Sequence, residues 1–268
     1  MNYISQQNLP DSLNAYRISM GILFNRIKWD LNLKSWKSKK YFSQNHTKYN
    51  GKKAIILCNG PSLNSVDFKL LKEKNIYTIG LNKINLLFEN TDFRPNLIVA
   101  INKLVIEQNI EFYKNTDIEL ILDSSCANLF NSKKMNIHFV HSLPLQLKFA
   151  RNIKESICQG YTVTYVALQI AYHLGFSEVA LVGCDHNFTT KGSSNMTVRA
   201  EDKDPNHFSP NYFSNGVKWQ LPDLLGSELH YKLANEYYES NNRKIYNATD
   251  GGKLEIFERK TLIDYINE

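Results

Sequence analysis

Among 268 residues there are only four cysteines, seven prolines and twelve glycines, and no stretch approaches the roughly 18 consecutive apolar residues of a membrane-spanning helix. Cys58, Cys126, Cys158 and Cys184 stand singly, with no Cys-x-x-Cys pair, so zinc-ribbon and dithiol redox chemistry are excluded and buried free thiols are expected. The phosphate-loop pattern Gly-x-x-x-x-Gly-Lys-Ser/Thr and the dinucleotide pattern Gly-x-Gly-x-x-Gly are both missing, so any nucleotide has to be held by other means. The stretch from Met1 to Asp11 lacks the apolar core of a signal peptide, which makes the cytoplasm the expected compartment and leaves the sequon Asn247-Ala248-Thr249 unglycosylated.

Acidic residues are scarce in one place. Residues 24 to 53 hold nine Lys or Arg against the single acid Asp30, a local charge of +8 in a chain whose total is +6, so the remainder is slightly acidic at −2. A nucleic-acid-binding protein carries its excess across the folded domain, and no nucleic-acid partner is expected. Tyr16, Met20, Leu23, Ile27 and Leu31 recur at helical spacing and predict an amphipathic helix from about Leu13 to Lys34, with Trp29 and Trp36 among the lysines. Such common basic patterns favour a helix packed on the main domain with a solvated basic side. The alternative is a segment, residues 13–40, resting on an anionic membrane surface at the inner leaflet.

With 43% hydrophobic residues, the chain does not read as disordered and can bury one substantial core. Apolar runs alternate with helical patterns beyond Gly51: Ala54 to Cys58, Tyr77 to Leu81, Leu97 to Ile101, Leu120 to Asp123, His138 to His141, Val179 to Gly183 and Lys244 to Asn247. That alternation predicts an α/β fold, a single Rossmann-like domain over residues 51–268 with a mostly parallel sheet, preceded by the basic helical segment 1–50. Helices are expected from Val66 to Lys74, from Thr162 to Leu174 with Gly175 as the stop, and from Ser227 to Ser240. The polar, breaker-rich stretch 187–223 is too irregular for a core element and reads as a lid or binding loop.

The sharpest motif is Asn59-Gly60-Pro61-Ser62, placed directly after the first strand. Gly60 permits close backbone approach, Pro61 fixes its own φ, and Ser62 or Asn64 can cap the next helix, a geometry that suits phosphate or nucleotide as well as an ordinary strand-to-helix turn. In an open α/β sheet, ligands bind beyond the carboxyl ends of the strands. The residues delivered there are polar: Asn59, Asn82, Asn102, Asp123 and Ser124, His141 and Ser142, Asp185 and His186, Asn247 and Thr249. Each suits a helix cap, but three successive asparagines also suit the edge of a base or a sugar hydroxyl. His207, flanked by Pro205 and Pro210 in the lid, has the chemistry of a base near neutral pH, and Asp185, His186 and His207 together match the donor types of a divalent metal without its diagnostic spacing.

Lys52 to Leu63, Val182 to Phe188, Asn206-His207-Phe208 and Asn247 to Leu254, taken in order, resemble the 6-hydroxymethylpterin diphosphokinase MptE-like domain, over about residues 48 to 260. Domains of this type occur in surface-polysaccharide gene clusters and in flagellin-glycosylating proteins. They are similar in turn to bacterial sialyltransferases that use CMP-activated sialic acid, which share the Asn-Gly-Pro-Ser opening. By that resemblance Asn59, Gly60, Pro61, Ser62, Asn82 and Asn102 contact CMP and the donor sugar, Gln159, Gly160, Thr162 and Thr164 close over the nucleotide, Asp185 sits near the ribose or donor, and His207 is the base of an inverting transfer. No metal cofactor is required by it, although Mg²⁺ is compatible. Those sialyltransferases use tyrosines for the leaving phosphate where this chain has His186, Asn187 and Asn195, which brings in other CMP-linked acid sugars, such as another nonulosonic acid or Kdo, with His186, Arg199 or Tyr212 serving the phosphate.

Three functions are therefore expected to compete. The first is a glycosyltransferase with a CMP-linked acid-sugar donor and a glycan or lipid-linked glycan acceptor. The second is an ATP- and Mg²⁺-dependent diphosphokinase acting on a pterin-like alcohol, and the third is a non-catalytic binding module.

Overall fold

The computed structural model describes residues 14–131, 134–143, 147–189, 192–200 and 202–268. In chain order the elements are α1 (Ala15–Asp30), α2 (Leu33–Asn45), β1 (Lys53–Leu57), α3 (Phe68–Lys74), β2 (Tyr77–Leu81), β3 (Leu97–Ala100), α4 (Lys103–Gln108), α5 (Ile110–Asn115), β4 (Glu119–Asp123), β5 (Ile137–Val140), β6 (Ser142–Leu143), β7 (Ile157–Cys158), α6 (Val163–Leu174), β8 (Glu178–Val182), β9 (Thr197–Arg199), β10 (Lys218–Gln220), α7 (Leu224–Glu239), β11 (Lys244–Asn247), β12 (Glu258–Arg259) and α8 (Leu262–Asn267).

Eight strands form one sheet in the order β12-β11-β8-β1-β2-β3-β4-β5. Every pairing in it is parallel, with Ile56 of β1 opposite Ile79 of β2 on one side and Leu181 of β8 on the other. A parallel sheet covered on both faces needs apolar residues at successive positions, which is why the seven expected strands stand in the sequence as unbroken runs. Ala54, Ile56, Val99 and Leu181 meet α6 and α7 on one face, whereas Ile55, Leu57, Ile98 and Val182 meet the opposite helices and the lid. From β1 the chain winds outward through β2 to β5, then returns to the other flank of β1 with β8. The order reverses between β1 and β8, and a crevice opens at the carboxyl ends of strands at such a reversal.

Helix α6 is buried on every side. Every residue from Thr164 to Leu174 is buried, because α7 covers its outer side and Gln169 bonds the backbone of Ala150 and Cys158. Gly175 ends the helix at φ 99°, as the Gly stop predicts. The cap of α3 is also corrected: Asp67, rather than Ser62 or Asn64, accepts from the Lys69 and Leu70 amides at 3.0 Å, while Pro61–Ser65 forms a short 3-10 turn of its own.

The single helix expected from Leu13 to Lys34 is two helices, and Leu13 lies outside the described residues. Asn32 breaks the run by accepting from the Lys34 amide at 2.9 Å, which starts α2 afresh. The inner face of α2 packs on the sheet edge, where Ser38 Oγ accepts from the Phe139 amide at 2.9 Å. Among the described residues of the stretch 187–223, the three-residue strands β9 and β10 pair antiparallel, with Trp219 opposite Val198. No helix among the described residues is long and apolar enough to cross a membrane.

Candidate functional site

The turn after β1 is tied to the turn after β8. The Gly60 amide donates to the Gly183 carbonyl at 2.9 Å, and Ser62 donates its hydroxyl to Asp185 Oδ2 at 2.8 Å and its amide to the same carboxylate at 3.3 Å. Asp185 thus closes the first turn of the Pro61–Ser65 helix from across the crevice. Cys58 and Cys184 lie side by side beneath it, and the neighbouring thiol together with burial pushes the Cys58 thiol well above its ordinary range, so neither the thiolate nor nucleophilic chemistry is favoured there.

The lid rests on the tips of β1 and β2. The Phe208 amide donates to the Asn59 carbonyl at 2.9 Å, and Asn64 Nδ2 donates to the Phe208 carbonyl at 2.9 Å. One residue earlier stands His207, whose Nδ1 meets Asp204 Oδ2 at 2.7 Å. Asp204 is buried and also accepts from the amides of Asn206 at 2.8 Å and Phe213 at 3.1 Å, which fix the carboxylate in place. Nδ1 is thereby engaged, and Nε2 is the ring nitrogen left for another partner. The ring is stacked on Tyr212 at 4.0 Å and edged by Phe213 at 5.2 Å, with 13% of its side chain left in solvent. The imidazole is thus held in one orientation by the Pro205-containing turn that folds residue 204 back on residue 207.

Unpartnered polar atoms gather next to it. The Asn59 amide donates to the Leu81 carbonyl at 3.1 Å, but Asn59 Oδ1 is buried without a hydrogen bond; Asn82 Oδ1 is in the same condition, while the buried Tyr212 hydroxyl lies against the Asn82 side chain. Each such group costs about 1–3 kcal/mol in a closed site. Asn82 holds a left-handed backbone, φ 47°, with its carbonyl accepting from the Tyr113 hydroxyl at 2.8 Å. Lys83, the next residue, is buried too: its ammonium donates to the Tyr212 carbonyl and to Gln108 Oε1, both at 2.8 Å, and loss of water drives its pKa down to about 8 despite the opposing charge of Asp204.

The remaining expected residues lie at the same end of the sheet but engage other partners. Asn102 caps α4 through the Leu104 amide and reaches Gln220 of β10 at 3.0 Å. Gln159 donates to Ser142 Oγ at 2.8 Å, and that hydroxyl donates in turn to Asp123, whose pKa burial raises. Gly160 and Tyr161 take left-handed backbones ahead of α6, which Thr162 caps, and Thr164 meets Cys58 Sγ at 3.6 Å. His186 Nε2 pairs with Glu228 of α7 at 3.0 Å, and Asn187 is exposed. The metal alternative built on Asp185, His186 and His207 is not met, since the three turn to Ser62, Glu228 and Asp204 respectively, and among the described residues no group of three or more His, Cys, Asp or Glu side chains could hold an ion. A cavity of about 500 Å³ lined by Lys114, Leu129, Phe130, Asn131, Lys134 and Ile137 opens beside the start of β5, away from the strand tips and from His207.

Lys83 and Glu228 are functional candidates that the sequence alone did not single out, and Asp204 stood there only among the carboxylates available to a Mg²⁺ ion, not as the partner of His207. An Asp three residues before a His is a usable signal once both are placed on one turn; a lone Lys and a helical Glu carry none.

The family model described as 6-hydroxymethylpterin diphosphokinase MptE-like matches residues 29–191. The chain belongs to that family. Its MptE-like span takes in β1 to β8 with Asn59, Asn82, Asp185 and His186, and stops short of Asp204 and His207. A MAf glycosyltransferase from Magnetospirillum magneticum AMB-1 has a similar structure, with TM-score 0.51 at 17% identity, over 84% of this chain and 38% of that one. At that identity the two share a fold, and this MptE-like chain spans well under half of the other protein's length. No curated protein matches the sequence.

Proposed function

We propose that the chain is a glycosyltransferase that moves a sugar from a nucleotide-activated donor, a CMP-linked acid sugar, onto a hydroxyl of a glycan or lipid-linked glycan acceptor in surface-glycan synthesis. The observation that carries the reading is the Asp204–His207 pair held beside the buried Asn59 Oδ1, Asn82 Oδ1 and Tyr212 hydroxyl, of which the two amide oxygens find no donor. Two of those atoms are pure acceptors, and ribose hydroxyls or an exocyclic base amine supply the donors they lack. A base on the lid and acceptors on the strand tips is the division of labour a group transfer needs.

In this mechanism the donor enters when the lid bonds from Phe208 to Asn59 and from Asn64 to Phe208 release. Asn59, Asn82 and the Gly60 turn hold the nucleotide, and Asn102 and the Gln159–Thr164 segment flank it. His207 Nε2 takes the acceptor hydroxyl proton as the oxygen attacks the anomeric carbon from the face opposite the phosphate, so the C–O bond to CMP breaks and the configuration inverts. Asp204 keeps Nδ1 protonated and steadies the imidazolium that forms. His186 and Arg199 are the cationic or proton-donating groups available to the departing phosphate. Asp185, bound to Ser62, acts in this scheme by holding the turn rather than by touching the reacting atoms.

The test pairs a donor panel with one substitution. CMP-linked donors should raise the melting temperature without added metal, more than UDP- or GDP-linked ones. His207→Ala should lower turnover by about 10²- to 10⁴-fold while donor affinity stays within about twofold, as expected of a general base. Unchanged turnover in that variant removes the role.

The family description favours a second reading, transfer of pyrophosphate from ATP to a pterin-like alcohol. Such chemistry relies on Mg²⁺ held by carboxylates and substrate phosphates. Asp123, Asp185 and Asp204, the carboxylates at this end of the sheet, are already taken by Ser125 and Ser142, by Ser62, and by His207 with two amides, so the donor set fits that ion poorly. Stabilisation by ATP with Mg²⁺ alone, and none by CMP-linked sugars, would decide for it.

A further inference from the structure

Helix α1 stands away from the body of the protein with its apolar side uncovered. Tyr16, Met20, Leu23, Phe24, Ile27 and Leu31 form one stripe along it, yet each keeps between 44% and 83% of its surface in solvent. The opposite side is the docked one, through Trp29, which is buried and meets Phe139 at 6.4 Å. The apolar strip continues past the break: Leu33 and Trp36 on the outer face of α2 are 77% and 68% exposed, while Ser35, Ser38 and Phe42 behind them are buried. A contiguous apolar surface of this extent marks a place where something else docks.

Charge identifies the occupant. Between residues 14 and 40 there are seven Lys or Arg and one acid. Asp30 is consumed by Arg26 at 2.7 Å and Lys39 at 2.7 Å, so it offsets nothing further. Arg17, Lys28 and Lys40 are exposed and, among the described residues, form no ion pair, which leaves them flanking the apolar stripe and Trp36. A second copy of the chain would bring like charges against each other. An anionic bilayer instead accepts apolar side chains below its headgroups and basic ones at their level.

We propose that α1 and the outer face of α2 form a docking surface for an anionic lipid bilayer. The helix lies in the interface plane rather than across it: sixteen residues span about 24 Å against a hydrocarbon core of about 30 Å, and Arg17, Arg26, Lys28 and Asp30 interrupt them. The surface is independent of the chemistry at the strand tips, so its failure and the failure of the transferase reading are separate events.

The experiment uses the whole chain with vesicles of phosphatidylcholine alone and of phosphatidylcholine with phosphatidylglycerol. Co-sedimentation is expected with the second only and should weaken at high salt. Trp29 and Trp219 are buried, so Trp36 reports contact with lipid, and its emission should shift to the blue on the anionic vesicles. Leu23→Glu with Phe24→Glu, and separately Lys28→Glu with Lys40→Glu, should each weaken binding by at least about tenfold, since each basic residue at such a surface is worth about fivefold. All four side chains are exposed, so melting temperature should hold and show that the variants fold. Binding that survives both double substitutions overturns the proposal. So does absence of binding to anionic vesicles, including the case in which sedimentation equilibrium reveals a dimer that the Leu23→Glu, Phe24→Glu variant dissociates.

Discussion

A β-carbon added at Gly60 would stand 1.9 Å from Asp185 Oδ2 and 2.7 Å from the Gly183 carbonyl oxygen. The backbone there is ordinary, φ −72°, so the constraint is one of space. Gly60→Ala should therefore break the Asp185–Ser62 clasp and lower unfolding free energy by about 1–3 kcal/mol in a denaturant titration. A second residue governs acid stability. Burial holds the His173 imidazole neutral, with Nε2 donating to the Phe42 carbonyl at 2.9 Å, and pushes its pKa down to about 4. The unfolded chain takes up that proton near pH 6.5, the folded one only near 4. Stability should fall across that interval as pH drops, by about 3 kcal/mol in all, and should be unaffected by this group above pH 6.5 or below 4. Replacing His173→Gln, which keeps an amide donor, should flatten the melting-temperature profile between pH 6.5 and 4; parallel profiles for the two proteins would contradict it. Asn59, Gly60, Ser62 and His207 were legible as residues because a polar turn ending an apolar run, or a His between prolines, has a local signature. Asp204 and Lys83 were not, since their importance arises from the turn that joins 204 to 207 and from burial that no local pattern announces.

At the scale of elements, the lid is clasped by one lysine. The Lys83 ammonium bonds the Tyr212 carbonyl and lies 4.8 Å from the Phe213 ring centre. Lys83→Met keeps the stem and loses the donor. It should speed amide exchange in residues 204–213 by about 10- to 150-fold, in line with about 1.5–3 kcal/mol for a hydrogen bond to a charged group, while β1 to β3 exchange as before. No change in the lid would remove the clasp. The seven expected strands were readable because both of their faces are buried. β9, β10 and β12 have two or three residues each and leave no period to detect. The break between α1 and α2 was equally invisible, because Asn32 acts as a cap without disturbing the row of apolar residues around it.

For the whole molecule, the parallel order and the reversal between β1 and β8 put every polar strand end at one edge of the sheet, and the lid packs down on that edge. What the topology could not reveal in advance is that the lid base, with Phe208, Tyr212, Phe213 and Trp219, belongs to the core. Ligand entry thus requires part of the fold to open. Hydrogen exchange of the whole chain with and without CMP tests this most directly. Added protection is expected in residues 59–64, 82–83 and 204–213 together. Protection confined to the cavity beside the start of β5, or none at the strand tips while CMP demonstrably binds, would contradict it.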